Sequence, residues 1–234
     1  MQGAADACRQ GKLQQIEALP DSDLQRLLSK TDEDGRTLLH AAASGGNKDL
    51  FQFLISKGAG SNVNTADEEE WTPLHSAVSA GHTEVVHLLI ALKADVNAAN
   101  SSGQTPLHYA VSKGRIPLIH ILLQAGAKVN ARDATGSTPL HRACSAGRLD
   151  SARALVEGGK ASLEAKDASG ATPMGVAASC GDQTMTLYLL SKGADPEVED
   201  KEGETPLSMA AKHGKLRDLM VQVATGQMDV DEML

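Results

Sequence analysis

The sequence has few aromatic residues: two Phe, two Tyr and a single Trp make up 2% of the 234-residue chain. A core without large rings must be filled by Leu, Ile, Val and Ala, which suits short helices that stack closely. No apolar run reaches the roughly 18 residues that a membrane-spanning helix needs. The first residues also lack the basic and apolar pattern of a secretory signal, so we expect no membrane association.

Cysteine pairs and an excess of basic residues are also missing. The three cysteines, Cys8, Cys144 and Cys180, are odd in number and have no CxxC spacing, which excludes a disulfide framework and a cysteine zinc site. Reduced thiols favour the cytoplasm and the nucleus as the location. Because 30 acidic residues outnumber 22 basic ones, for a net charge of −8, a nucleic-acid partner is disfavoured.

The motifs of common enzyme classes are absent as well. The chain contains no GxxxxGK[ST], GxSxG or HExxH sequence. His40, His75, His108 and His141 recur at one position of a repeated unit, so they are spread along the chain and do not converge on a metal or a substrate. We therefore expect no enzyme activity, no cofactor and no metal site.

A repeated unit of about 33 residues organises the chain, and residues 71–100 show it most completely. Thr72 and Pro73 open a first helix, Gly81 ends it, and an apolar second helix follows. The opening threonine recurs at spacings of 35, 33, 33, 34 and 33 residues. Its six positions are Thr37, Thr72, Thr105, Thr138, Thr172 and Thr205.

This period, with the motif TPLHxA, resembles the ankyrin-repeat family over nearly the whole chain. The resemblance implies an all-α solenoid of about seven helix-turn-helix repeats with hairpin fingers. We expect one domain over residues 1–234, with cap repeats at about 1–30 and 202–234 and full repeats at about 31–201. It also implies that the motif histidine binds the motif threonine and the neighbouring loop.

Departures from the regular period predict local changes. Residues 23–28 are expected to add a helical turn after the first repeat, and Gly60 and Ser61 to lengthen a loop. Repeat five has one extra residue near Lys160. The acidic tail, residues 227–234, is expected to be only partly ordered.

Positions that do not repeat are the candidates for partner binding. They concentrate in the fingers, the five-residue turns that precede each motif threonine, and on the first helices, which the family fold places on a concave side. For Trp71, contact with a partner and packing on the next finger are equally open. Because Arg36, Trp71 and Lys113 have no evident role in folding, we expect their replacement to leave the fold intact. The candidates are Asp34, Arg36, Asp67, Glu68, Glu69, Trp71, Tyr109, Lys113 and Arg142.

Within the family, the matches at Arg36, Trp71 and 104–113 resemble the chaperones that assemble the proteasome regulatory particle. That resemblance implies a monomer that cradles the C-terminal domain of one proteasomal ATPase subunit. These chaperones carry an LxCxE motif for the retinoblastoma protein. The matching residues of this chain, 176–180, do not contain the motif, so the sequence does not support that partner. The alternative is a generic ankyrin adaptor for another regulatory protein.

Overall fold

The computed structural model describes residues 1–227, and these residues form fifteen α-helices and no strand. The predicted all-α class is confirmed. The helices are α1 (Gln2–Arg9), α2 (Leu13–Glu17), α3 (Asp21–Leu28), α4 (Leu38–Gly45), α5 (Lys48–Ser56), α6 (Pro73–Ala80), α7 (Thr83–Ala91), α8 (Pro106–Ser112), α9 (Ile116–Gln124), α10 (Pro139–Ser145), α11 (Leu149–Arg153), α12 (Pro173–Ser179), α13 (Gln183–Ser191), α14 (Pro206–Ala210) and α15 (Leu216–Ala224).

The chain divides into two compact units, the first of which ends at Ala127 and the second of which begins at Lys128. In the first unit the first helices α1, α4, α6 and α8 pack side by side, and α5, α7 and α9 form the layer of second helices. In the second unit α10, α12 and α14 form the layer of first helices, and α13 packs on α15. The first unit holds four helix pairs and the second holds three, as the repeat count predicts.

Each regular first helix begins with the same cap. The Thr72 hydroxyl accepts from the backbone N–H of His75 at 3.5 Å, while His75 Nδ1 accepts from the Thr72 N–H at 3.2 Å. Pro73 follows at the first helical position, where no donor is needed. The helix ends at Gly81, whose φ of 92° is a left-handed conformation that glycine adopts without a Cβ clash.

The same histidine ring also joins one repeat to the next. Nε2 of His40, His75 and His141 lies 2.9, 3.1 and 3.0 Å from the backbone oxygen of Trp71, Gln104 and Ala171, respectively. Since a carbonyl only accepts, Nε2 carries the proton and Nδ1 is the acceptor. The role implied by the family resemblance is confirmed for these three rings.

The fingers are tight turns built around one side chain. The Asp67 Oδ1 atom accepts from the backbone N–H groups of Glu69 and Trp71, at 3.0 and 2.8 Å, and the Asp67 N–H donates to the Trp71 oxygen. Asp and Asn suit this position because their short side chains reach the backbone two and four residues on. The same loop recurs with Asp32, Asn100, Asp133, Asp167 and Asp200 as the first finger residue.

The irregular stretches fold as local additions. The turn predicted at 23–28 is the two-turn helix α3, and residues 59–62, which include Gly60 and Ser61, form a 3-10 turn. The extra residue of repeat five is accommodated by a π-helical segment, residues 154–158, and by Lys160 with φ of 56°. The tail predicted to be partly ordered lies, at 228–234, outside the described residues.

Two repeats of the second unit lack the motif histidine, which should make them the first to open. Gly175 takes its place in α12, and in α14 Ser208 forms the cap with Thr205. We predict faster amide exchange in α12 and α14 than in α6 and α8, because exchange follows local opening. Hydrogen-exchange mass spectrometry on the intact chain measures this, and equal protection of the two pairs of helices would contradict it.

Restoring the ring should slow that exchange. Gly175→His adds a buried hydrogen bond, worth about 1 kcal/mol, and removes a helical glycine, worth about 1 kcal/mol. The sum of about 2 kcal/mol corresponds to roughly thirtyfold slower exchange in α12. The matched control, Gly175→Ala, keeps only the second term and should slow exchange about fivefold. Equal effects of the two variants would show that the ring forms no bond.

The buried rings also predict a loss of stability in mild acid. Burial lowers the pKa of His75 to about 4, and it lowers the pKa of His40 and His141 in the same direction. A lowered histidine pKa means that the unfolded chain takes up protons first, so stability is complete above about pH 6.5 and falls as pH decreases toward 4. At about pH 5 His75 alone accounts for a loss of about 2 kcal/mol.

Urea unfolding at about pH 7.5 and pH 5 tests this, with His75→Gln as the comparison, since Gln does not titrate. The variant should be less stable at pH 7.5, and its stability should change less between the two pH values. The paired carboxylates do not interfere, because Asp67 and Asp133 have lowered pKa values and lose their contribution only below about pH 4. The same pH dependence in both proteins would contradict the assignment.

Candidate functional site

In the first unit, an ion pair between neighbouring fingers organises the predicted site residues. Arg36 Nε donates to Asp67 Oδ2 at 2.9 Å, and the Asp67 side chain is only 1% exposed. Arg36 Nη1 lies 3.8 Å from Asp34 Oδ2, and the Arg36 side chain is 45% exposed. The guanidinium is therefore fixed to the fold through Nε, while much of the side chain stays exposed beside the Asp34 carboxylate.

The pKa values of this pair reflect the contact. Burial raises the pKa of Asp67, but the hydrogen bonds from Arg36 and from the N–H groups of Trp71 and Glu69 outweigh it, so the pKa lies below its usual value. The bond to Asp67 raises the pKa of Arg36. Both groups are charged at neutral pH, so the pair is a fixed feature of the finger surface.

Trp71 is part of a packed aromatic cluster. Its ring meets Tyr109 edge-on, with centroids 4.5 Å apart, and lies 5.2 Å from the His75 ring. Trp71 Nε1 donates to Ser76 Oγ at 2.9 Å, and Asn100 Nδ2 donates to the Tyr109 hydroxyl at 3.0 Å. Trp71 is half-buried. The ring thus packs on a side chain of α8 and not on the next finger, and contact of its exposed part with a partner stays a prediction.

These contacts correct two expectations about the site. Arg36 and Trp71 both have a role in the fold, so their replacement does not leave it untouched. Asp67 is buried as the centre of its finger and as the partner of Arg36, so it presents no free carboxylate. The sequence could not reveal the pairing because Arg36 and Asp67 are 31 positions apart.

The other acidic candidates lie on the fingers and are exposed. The Glu68 N–H donates to the Asp34 backbone oxygen at 3.0 Å, and the Glu69 backbone oxygen accepts from the Ser101 N–H at 2.9 Å. The Glu69 carboxylate also accepts from the Ser101 hydroxyl at 2.6 Å. Backbone bonds thus hold consecutive fingers together, while the side chains of Asp34 and Glu68 remain accessible.

Lys113 and Arg142 have different surroundings. Lys113 is the exposed C-cap of α8, and its ammonium group has no partner among residues 1–227. Arg142 belongs to the second unit, where its Nε donates to Asp133 Oδ2 at 2.9 Å and its Nη2 makes a further contact with the same oxygen. The Asp133 side chain is fully buried, so Arg142 is half of a structural ion pair.

The structure adds residues that the sequence did not indicate. A groove of about 300 Å³ runs beside Arg36 and Trp71, and its wall includes Arg9, Ser44 and Ser79. Arg9 belongs to the first cap repeat, which lacks the motif, so nothing in the period marked it. The sequence pattern could have indicated Ser76, because Ser76 directly follows the motif histidine, as the candidates Tyr109 and Arg142 do.

Nowhere in residues 1–227 do three or more His, Cys, Asp or Glu side chains come together as a possible metal site. No helix in that range has the length and apolar content needed to cross a membrane.

Comparison with known proteins gives the same assignment as the architecture. The family model described as "Ankyrin repeats (3 copies)" matches three overlapping ranges, 5–100, 59–133 and 107–200. A search of curated proteins returned no match. Ankyrin repeats are protein-interaction modules, and their partners are proteins. Since the matched ranges span most of the sequence, the chain belongs to the ankyrin-repeat family.

Proposed function

We propose that this protein is an assembly chaperone that holds the C-terminal domain of a proteasomal ATPase subunit. The local sequence resemblance to gankyrin at Arg36, Trp71 and 104–113 supports this choice of partner. Bound in this way, the protein keeps the ATPase from docking on the core particle until assembly has advanced. It acts as a monomer in the cytoplasm and the nucleus.

The observation that carries the proposal is that two basic side chains of the first unit, Arg36 and Lys113, have donors without a hydrogen-bond acceptor in the described part of the chain. Asp67 holds Arg36 through Nε, which leaves Nη1 and Nη2 without a hydrogen bond in the described part of the chain. A guanidinium fixed at one edge loses little freedom when its other edge meets a carboxylate. Lys113 supplies a second, exposed charge. Together they suit a partner surface with two acidic residues.

The exposed acids complete a surface of mixed sign. Asp34, Glu68 and Glu69 lie on two consecutive fingers, where the backbone bonds between the fingers fix their spacing. Basic residues of the partner would face them. Opposite charges across an interface speed association and exclude wrong partners more than they add affinity. This charge pattern favours a specific protein surface over an apolar one.

We predict that Lys113→Glu weakens binding of the ATPase C-terminal domain by at least about tenfold. Like charges would then face each other, which costs several kcal/mol in an interface, and about 1.4 kcal/mol is one decade of affinity. Adding Arg36→Glu should bring the loss to at least about a hundredfold. Raising the salt concentration should weaken binding of the unaltered chain, mainly through a slower on-rate. Calorimetric and kinetic titrations with the purified domain measure both effects.

The matched control is Lys93→Glu. Lys93 is exposed and directly follows the C-cap of a second helix, α7, whereas Lys113 caps a first helix. Both substitutions therefore make the same change of charge at the C-terminal end of a helix, although Lys93 has a left-handed backbone with φ of 66°. Lys93→Glu should bind as the unaltered chain does. Because Arg36 also holds Asp67, the double variant is interpreted only if its melting temperature is retained. If Lys113→Glu bound with full affinity, this face would not be the contact surface.

A generic adaptor for another charged regulatory protein is the alternative. An adaptor would bind its partner through the same basic side chains, Arg36 and Lys113, because these charges fit any protein surface with acidic residues in matching positions. The titration separates the two: if the unaltered chain has no measurable affinity for the ATPase domain, the chaperone role is rejected and the adaptor role stands.

A further inference from the structure

A cavity in the second unit lies where the repeat pattern would place a histidine ring. It has a volume of about 480 Å³ and is bounded by α12, by α14 and by the fingers at 167–171 and 200–204. Its lining includes Ala171, Gly175 and Met209. Gly175 occupies the position of the motif histidine, so the cavity is the space beside a missing imidazole.

The ring of His75 shows what that space is shaped to hold. Its Nδ1 lies 2.9 Å from the Thr72 hydroxyl and 3.2 Å from the Thr72 backbone nitrogen, while Nε2 lies 3.1 Å from the Gln104 backbone oxygen. His40 and His141 repeat this arrangement with their own threonine and following finger. An imidazole therefore fits between a motif threonine and the fifth residue of the next finger.

In repeat six the groups that would bind the ring are left without it. Thr172 is only 2% exposed, and its oxygen accepts from the Gly175 N–H at 3.2 Å. Within residues 1–227 neither the hydroxyl hydrogen nor the backbone N–H of Thr172 has an acceptor. The corresponding finger carbonyl, that of Glu204, accepts from the Asp200 N–H at 2.9 Å and from no other group of the described residues. Thr172 packs against Gly175, which lines the cavity, so its two buried donors lie next to that wall. The Glu204 carbonyl belongs to the finger that bounds the cavity on another side.

There is also room for a ligand next to the backbone. A Cβ atom at Gly175 would lie 3.6 Å from Thr172 Oγ1, 3.8 Å from Met209 Sδ and 3.9 Å from the Ala171 Cβ, all ordinary contacts. The nearest obstacle beyond it is the thioether of Met209, the end of a flexible side chain that readily changes rotamer.

We propose that this cavity, which we call the Gly175 cavity, binds a neutral imidazole group. The ring nitrogen without hydrogen accepts from Thr172, and the ring N–H donates to the Glu204 carbonyl. The neutral ring is required because the charged imidazolium has no lone pair that could accept from Thr172. The cavity is also lined by Asp167, Asp200, Lys201 and Glu202, so the hydrogen bonds of the ring, and not its charge, decide which form binds. The ligand is either free imidazole or the histidine side chain of a bound polypeptide.

The test is a titration of the full-length, ¹⁵N-labelled chain with imidazole at about pH 8, well above the ~6.5 at which the ring takes up a proton. The Thr172 and Gly175 amide signals should shift in a saturable way, with millimolar affinity, as expected for a ligand of so few atoms. Thr172 amide exchange should slow at saturation. The Thr138 amide, which already has His141, should not respond. No saturable shift at Thr172 would overturn the proposal.

Two comparisons make the result specific to the ring. 1-Methylimidazole lacks the N–H that would donate to Glu204, and we expect it to bind at least about tenfold more weakly; equal affinity would overturn the proposal. Gly175→His fills the cavity with its own ring and should abolish the response, while Gly175→Ala, which adds only the Cβ, should keep the Thr172 shift. A response of the same size in Gly175→His would place the ligand elsewhere and refute the site.

A third arm distinguishes the two sources. The peptide Gly-His-Gly should shift the same two amides and compete with imidazole, and Gly-Ala-Gly should not. Binding of both ligands supports a site for a histidine of a protein partner. Binding of imidazole alone supports a site for the free small molecule. A response to Gly-Ala-Gly equal to that of Gly-His-Gly would refute recognition of the ring.

Discussion

The hydrogen bond from a buried histidine ring to the carbonyl of the next finger joins each regular repeat to its neighbour. A repeat of about 33 residues is too small to bury its own apolar face, so its stability depends on the repeat beside it. His40, His75 and His141 provide that coupling while also capping their own helices. Because both ring nitrogens are engaged and the ring is buried, these histidines stay neutral and have no nitrogen left for a metal or a proton transfer.

The finger turn explains why the candidate site and the fold overlap. In the Asp that begins a finger, one carboxylate oxygen accepts from the backbone N–H groups of the turn. The other oxygen can pair with a basic side chain, and that side chain differs from one repeat to the next. Asp67 takes Arg36 from the preceding finger, whereas Asp133 takes Arg142 from its own repeat. A residue that varies between repeats therefore still fills a structural position. For this reason a surface charge such as Arg36 has a role in the fold as well as the partner contact that we propose, whereas Lys113 has no such role in the described part of the chain.

Loss of the motif histidine has two consequences in the second unit. It removes a bond between repeats and puts a glycine in α12, which lowers the local free energy of unfolding. It also leaves the Thr172 donors beside an open cavity. The loss that weakens this repeat thus also creates the site at which we propose that a ligand binds.

The sequence by itself determined the period, the helix starts at Thr and Pro, the turns at Asp and Gly, and hence the family, because these signals act between residues a few positions apart. It also located the charged, non-repeating finger positions. Only the tertiary structure decided which of them are free. The Arg36–Asp67 pair, the Trp71–Tyr109 contact and the π-helical segment that absorbs an extra residue depend on how repeats stack, and one side chain has several possible partners across that stack. Which of these partners a side chain contacts depends on how the repeats pack and which groups become buried, and a local sequence pattern does not contain that information.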